Sequence, residues 1–549
     1  MRKIHGLLIL FLFITFFCDA QEMEVKNTKV FLLTGQSNMD GRADANGLSE
    51  VDKARLKKAQ RNVTLYYNFE EGKPLDITKA PRHTAKKFST DYIFGPELFF
   101  GIEMSEKYPD YDIILIKRSR GGMSLYGAWN PDWSLEKATL INEQNQPKLY
   151  SEFVSYSKSV LSKLKKDSYE LCGMLWVQGE SDSGKKGGLK PREAYEDNLK
   201  NLVSAVRRDF KHPKLPYIMF QVGHGKVVEG MKNIANADDN VVLIPQEKNK
   251  DSKFYFERNP PPIGHYVTEA MKKIGVYFFK YYENLIRFRK KNLIPWSIVG
   301  FDVKERSPKE RLEMLERLGY SQYAYGYRPK HIPTMKLEWE LAKEKDIEIK
   351  AVWLYINLDK DKDKVGALKP EKEVVFKNLK DVGLKTQIWV GFQPTYFDKL
   401  TDEESLKQAV AMIEYLSQRA EKIGCKIALY NHGGWFGKPE NQLRIIKALP
   451  KQNLGVVFNF HHAHDTLENY SQNIVNLLPY LWCVNLNGMK AEGPKILTIG
   501  DGDKEKEMIN QLINLGYDGP FGILGHVKGG DPEPILNKNF TGLQHLMHK

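Results

Sequence analysis

The sequence predicts two α/β domains in tandem: an open parallel sheet covered by helices, then a closed (β/α)8 barrel. Two observations carry this. Up to about residue 285, short apolar runs end in clusters of polar residues and amphipathic helical patterns follow them. From residue 297 onward, eight apolar strand-like runs alternate with eight helical patterns over about 250 residues, the size of a barrel. At 549 residues the chain exceeds one ordinary domain, and a hydrophobic content of 42% supplies full cores.

The N-terminus reads Met1-Arg2-Lys3, an apolar run over residues 6–17, then Cys18-Asp19-Ala20-Gln21. A charged start, a short apolar core and a small residue predict a secretory signal over 1–20, cut after Ala20. The run is too short to span a bilayer. Location outside the cytoplasm, secreted or periplasmic, is therefore expected. Lipidation at Cys18 is the alternative, and Thr15-Phe16-Phe17 makes a poor lipobox. No later stretch reaches ~18 uninterrupted apolar residues, so no integral membrane segment is expected after cleavage. Cys172, Cys425 and Cys483 lack metal spacing or a framework pattern and are expected as buried free thiols. The formal charge is +13, of which Arg2, Lys3 and Asp19 supply +1, leaving +12. The basic residues are dispersed among acids, which argues against nucleic acid as a partner and suits a lysine-rich solvated surface.

In the first half, residues 29–33 form a buried apolar run leading into Gly35-Gln36-Ser37-Asn38-Met39. A serine on a tight strand-to-helix turn presents its hydroxyl above the sheet edge, within reach of a base. Pro96 suits the first turn of a helix. A second run, 112–116, leads to Gly121-Gly122, where the main chain can aim an amide at a ligand. A third, 171–177, ends in Gln178-Gly179-Glu180-Ser181-Asp182. A helix follows at 195–210, then strands at 216–222 and 241–244. Gly264-His265-Tyr266 stands before a helix over 267–287, where a histidine can reach the C-terminal edge of the sheet.

GQSNM, GGMSLYGAW, WVQGESD and the late Gly-His, in that order, resemble the SGNH-hydrolase superfamily. More narrowly, they resemble its sialate O-acetylesterase-like group and the acetyl xylan esterases of carbohydrate esterase family six. The resemblance implies a three-layer α/β/α domain over 21–287 and removal of O-acetyl groups from a sugar or polysaccharide without a cofactor. It implies Ser37 as nucleophile and His265 as base. The oxyanion donors would be the amides of Ser37 and Gly122 and the side chain of Gln178. The family usually carries Asp three residues before the histidine, and Pro262 stands there. Glu180 is the expected substitute, with Glu257 the weaker alternative.

Residues 288–296 read as a linker and 297–549 as the barrel. Expected strands are 297–301, 322–326, 347–355, 386–391, 426–430, 455–460, 482–487 and 519–524. Their ends carry Asn431, His432 and Trp435; Asn459, His461, His462 and His464; Asn487; and His526. Five imidazoles on one barrel face exceed what a core needs, so Asn431, His432, Trp435, Asn459, His461, His464, Asn487 and His526 are candidate substrate contacts. ALYNHGG, NFHHAH and GYDGPFGILGH resemble the xylose isomerase-like TIM barrels, often described as sugar phosphate isomerases or epimerases. That resemblance implies a divalent metal held by Glu, Asp, His and Glu at the ends of strands five to eight. The matching positions are Tyr430, Asn459, Asn485 or Asn487, and Leu524 or Ile523, and none is acidic. A softer ion on His432, His461, His464 and His526 and metal-free sugar binding both stay open.

The main expectation is thus an esterase with a sugar-binding or sugar-converting barrel. The alternatives are an isomerase or epimerase with the esterase half as scaffold, and a non-catalytic glycan-binding protein.

Overall fold

The computed structural model describes residues 27–165, 168–261, 263–357, 363–527 and 529–548. The expected signal segment with Cys18, and Pro262, lie outside the described residues.

The first sheet is built from β1 (Thr28–Gly35), β2 (Val63–Tyr67), β3 (Asp112–Ser119), β4 (Tyr169–Val177), β5 (Tyr217–Phe220) and β6 (Val241–Ile244). Its order is β6-β5-β4-β1-β3-β2, all parallel, with the short strand Lys73–Pro74 added antiparallel beside β2. β2 escaped the sequence reading because its residues alternate between buried and half-buried, whereas β1 is a nearly continuous buried run. Gly35 at the end of β1 pairs with Ser119 of β3 on one side and Val177 of β4 on the other. The three central strands therefore end level, and the loops that follow them share one edge. Gly35 is obligatory there: its φ is 149°, and a Cβ would lie 2.2 Å from the Val177 carbonyl oxygen.

The second sheet holds β7 (Leu293–Trp296), β8 (Gln322–Tyr325), β9 (Glu348–Ile356), β10 (Gln387–Phe392), β11 (Lys426–Tyr430), β12 (Leu454–Asn459), β13 (Leu481–Leu486) and β14 (Phe521–Leu524). All paired neighbours are parallel, and the order runs from β7 through β14 back to β8, a nearly closed TIM barrel. The first strand corrects the sequence reading. Residues 288–296, expected as linker, contain β7, which pairs with β14, while 297–301 form a turn opening on Ser297 at φ 60°. Pro295 made this run read as a connection. It is accommodated because β7 stands at one end of the ladder order, where a missing N–H is tolerated. The chain divides into two compact units between Phe279 and Lys280, inside the helix Thr268–Arg287.

Helix starts follow local chemistry. Ser307 and Thr401 each close a capping box with Glu310 and Glu404, and Pro308 and Pro370 occupy first-turn positions. Inside the barrel, Trp296, Trp353, Trp389, Tyr430 and Cys483 form one buried cluster. Cys172, Cys425 and Cys483 are all buried, and Cys425 and Cys483 are free thiols, as the sequence predicts. Among the described residues no helix is long and apolar enough to cross a membrane.

Candidate active site

Ser37 opens a four-residue helix, Ser37–Asp40, directly after β1. Gln36 fixes the turn: its amide donates to the Val177 carbonyl at 2.9 Å, and its side-chain oxygen accepts from the Ser181 amide at 3.3 Å. As the first residue of a helix, Ser37 has no intrahelical acceptor for its own N–H. Its hydroxyl lies 3.0 Å from His265 Nε2. His265 Nδ1 lies 2.7 Å from the Ile263 carbonyl oxygen. A carbonyl only accepts, so Nδ1 carries the proton and Nε2 presents its lone pair to the serine.

The loop bearing the histidine is closed on itself. The Asn259 amide donates to the His265 carbonyl at 2.8 Å, Arg258 donates to the Gly264 carbonyl at 3.3 Å, and Gly264 takes a φ of 65°. Phe88 meets the imidazole edge-on, ring centroids 5.2 Å apart. Burial lowers the His265 pKa, the Ile263 carbonyl opposes this, and the charges of Arg42, Lys87 and Arg258 lower it further.

Glu180 is not the partner of His265. Its carboxylate accepts from the Asn38 side chain at 2.6 Å and faces Arg258 at 3.8 Å. Burial raises its pKa, against the lowering effect of Arg258. The place that a carboxylate would take at Nδ1 is filled by the main-chain oxygen of Ile263. Glu257 contributes main chain only, its carbonyl accepting from the Val267 amide.

Gln178 also differs from expectation. Its side-chain amide donates to Asp182 at 2.5 Å and to the Met123 carbonyl at 3.2 Å, so both N–H groups are taken. What it does is hold the Gly121-Gly122 loop. Asp182 accepts from the amides of Leu125 at 2.8 Å and Tyr126 at 2.9 Å. Glu143 accepts from the amides of Ser124 and Ala128, each at 2.9 Å. Burial pushes Asp182 up to about 7 against these hydrogen bonds. Asp40 accepts from the Gly121 amide at 3.2 Å, from Ser119 at 2.6 Å and from Arg42 at 2.7 Å. A Cβ on Gly121 would lie 3.4 Å from that of Ser37, so this loop runs beside the nucleophile. Gly122 follows at φ 75° with open space around it. Asp182, Glu143 and Asp40 were not singled out as site residues. Only Asp182, inside the motif ending at that residue, gave any signal.

At the mouth of the barrel the candidates separate. A cavity of about 140 Å³ is lined by Trp296, Trp353, Arg328, His432, His461 and His526, among others, together with His462. His461 and His462 have ring centroids 3.7 Å apart, and His432 lies 4.5 Å from His462. His464 is elsewhere: its Nε2 meets the Lys490 carbonyl at 2.7 Å. Asn431 bonds to the main chain of Asn459, and Asn459 bonds to the Tyr430 hydroxyl, so both knit strand ends together. Asn487 donates to the carbonyls of Gly488 and Lys495. Trp435 donates to Asp402 at 2.7 Å, outside the cavity lining. His462 and Arg328, not among the sequence candidates, line the cavity, and His464 and Trp435 do not.

The donor set does not fit a hard divalent ion. β11 and β12 end in Tyr430 and Asn459, Asn487 follows β13, and β14 ends in Leu524. Among the described residues no group of three or more His, Cys, Asp or Glu side chains is placed to hold a metal. Burial lowers all four imidazoles, His461 to about 3, so they are neutral near pH 7.

Residues 27–283 match the family model for carbohydrate esterase, sialic acid-specific acetylesterase, and residues 313–540 match that for the xylose isomerase-like TIM barrel. Similar solved structures include NanS, at 17% identity over 48% of this chain and 99% of that one, TM-score 0.35. A carbohydrate acetylesterase from Xanthomonas citri is 15% identical over 46% of this chain and 55% of that one, TM-score 0.30. The 3-keto-D-glucoside 4-epimerase from E. coli is 16% identical over 46% of this chain and 99% of that one, TM-score 0.36. No curated protein matches the chain. Residues 27–283 thus belong with the sialic acid-specific acetylesterase type of carbohydrate esterase, and residues 313–540 with the xylose isomerase-like TIM barrels.

Proposed function

We propose that the first unit removes O-acetyl groups from a sugar outside the cytoplasm, with Ser37 as nucleophile and His265 as base. The observation behind this is the Ser37 Oγ to His265 Nε2 contact of 3.0 Å, with Nδ1 held by the Ile263 carbonyl. The serine hydroxyl gives its proton to Nε2 as the oxygen attacks the acetyl carbonyl. The amides of Ser37 and Gly122 receive the oxyanion. His265 then gives that proton to the sugar oxygen as its bond to the acetyl carbon breaks, releasing the sugar hydroxyl, and water repeats the sequence on the acetyl-enzyme. The oriented carbonyl replaces a carboxylate in setting the tautomer, but brings no full charge to stabilise the imidazolium. The family's sialic acid specificity supports an acetylated acidic sugar as substrate. The three cations acting on His265 suit an anionic substrate too.

The barrel is read as a sugar-binding or sugar-converting unit. The absence of acids at the ends of its later strands among the described residues removes metal-assisted isomerisation from this reading. The test is acetate release from p-nitrophenyl acetate, an O-acetylated sialic acid and acetylated xylan by the wild type and Ser37→Ala. Equal rates for the two proteins would overturn the esterase assignment, and the three substrates rank the acyl sugars.

A further inference from the structure

Against the nucleophile turn lies a buried pair of charges that proton transfer does not use. Lys117, on β3, and Glu97, in the first turn of the helix Pro96–Lys107, are 1% and 2% exposed, and the ammonium meets the carboxylate at 2.7 Å. The cost of taking two charges out of water is about offset by their attraction, so apolar residues of similar size would serve the core as well. The pair calls for a reason other than stability, and its partners supply one. Lys117 donates to the Asp40 carbonyl at 2.9 Å, the last carbonyl of the short helix that Ser37 opens. A carbonyl at a helix end has no intrahelical donor. Glu97 accepts from the Gly95 amide at 3.1 Å. Gly95 lies against the same turn, where a Cβ on it would come 2.9 Å from the Met39 carbonyl oxygen. The Asp40 carboxylate accepts from the Tyr67 hydroxyl at 3.2 Å, besides Ser119, Gly121 and Arg42, and Lys117 stands 4.8 Å from the Tyr67 ring centre. Two acids and two bases thus link the helix at Pro96, the nucleophile turn and the Gly121 amide.

We propose that Glu97 and Lys117 are positioning residues for ester hydrolysis. They fix the Asp40 carbonyl, and so hold Ser37 toward His265 and the Asp40 carboxylate toward Gly121. The proposal rests on the esterase reading of Ser37 and His265. A hydrogen-bonded charge is directional where an apolar contact is not, so the pair sets where the turn sits as well as filling space. A displacement of about 1 Å at reacting groups costs on the order of 10²-fold in rate.

The test is the double variant Glu97→Gln/Lys117→Met, which removes both charges and keeps an oxygen for the Gly95 amide. Two rates are compared with wild type: kcat on p-nitrophenyl acetate, and modification of Ser37 by phenylmethylsulfonyl fluoride, read by intact mass. Both are expected to fall together by about tenfold or more, with KM within about threefold and the thermal midpoint within about 3 °C. Ile113→Val, a buried position at the opposite end of β3, is the control and should lower the midpoint while leaving kcat unchanged. Glu97→Gln alone leaves Lys117 on the Asp40 carbonyl. It serves if the double variant does not fold, and its kcat is expected to fall about threefold. Rates within about twofold of wild type in the double variant, or in Glu97→Gln where only that variant folds, would overturn the proposal. So would a loss of rate that follows the fall in midpoint across all the variants, the control included. A wild type that neither hydrolyses the ester nor is modified at Ser37 would overturn the esterase reading, and the positioning role with it.

Discussion

His265 and the histidines at the barrel mouth share a side chain and differ in what holds them. Both ring nitrogens of His265 are engaged, one on a main-chain carbonyl and one on the Ser37 hydroxyl. Among the described residues, His432, His461 and His526 each bury a nitrogen without a hydrogen-bond partner. An imidazole fixed at both ends has one tautomer and one direction for its proton, which suits proton transfer. The chain thus carries one imidazole held at both nitrogens and, at the barrel mouth, three that each bury a nitrogen without a hydrogen bond.

The largest test of the first half of that contrast is Ser37→Ala. Acetyl ester hydrolysis should fall by at least about 10³-fold, because the attacking atom is gone while the oxyanion amides remain. Thermal unfolding should move little, since the hydroxyl's partner is the His265 ring and the turn is held by Gln36.

Next comes the support of the Gly121-Gly122 loop. Asp182 accepts from two amides and from Gln178, all at 2.9 Å or less. Asp182→Asn replaces an acceptor with N–H groups that face other donors. A loss of about 1–3 kcal/mol in unfolding free energy follows from the unpaired buried amides. A fall of about 10² in kcat is expected if Gly122 is thereby displaced from the oxyanion. A kcat change with unaltered stability, or the reverse, would separate the oxyanion role from the structural one.

How much of this was readable beforehand depends on what the side chains announce. The Ser37–His265 pair was legible because GQSNM, GGMSLYGAW, WVQGESD and the late Gly-His occur together and in order, not from either residue alone. The Ile263 carbonyl was not, since every residue has one and only the turn closed between Pro260 and Gly264 aims it. Asp182 stood inside a noticed motif, yet its acceptors serve amides 56 and 57 residues away. The barrel was legible from its alternation, save for β7, where Pro295 imitates a linker. His462 lines the cavity and His464 does not because residues Phe460–Asn469 form a 3-10 helix, and a sequence read as strand end plus loop does not say which side each residue faces.

A smaller effect lies in the pH profile. His265 acts as a base when neutral, and its pKa is lowered below the ordinary 6.5 by burial and by nearby cations. Lowering it keeps the base form present as pH falls. The acid limb of kcat/KM should therefore lie below pH 6.5. Lys87→Met removes one of those cations and should move the limb upward. An unmoved limb would mean that Lys87 is too well solvated to act on the ring, leaving burial as the cause.

The smallest expected effect decides the most about how the histidine is supported. A carboxylate that steadied His265 would cost about 10⁴ in kcat when converted to the amide, as in serine triads. Glu180 is placed otherwise: its Oε1 accepts from Asn38, and a glutamine can keep that bond through its own oxygen. Glu180→Gln should therefore lower kcat/KM less than about fivefold, the residue of losing a charge near Arg258 rather than a member of the relay. The charge change itself has a sign. Removing a negative group leaves Arg258 less compensated, which lowers the His265 pKa further and moves the acid limb down. A loss near 10⁴ would instead place Glu180 on the histidine during turnover. The main-chain carbonyl of Ile263 would then be a resting partner that gives way when substrate binds.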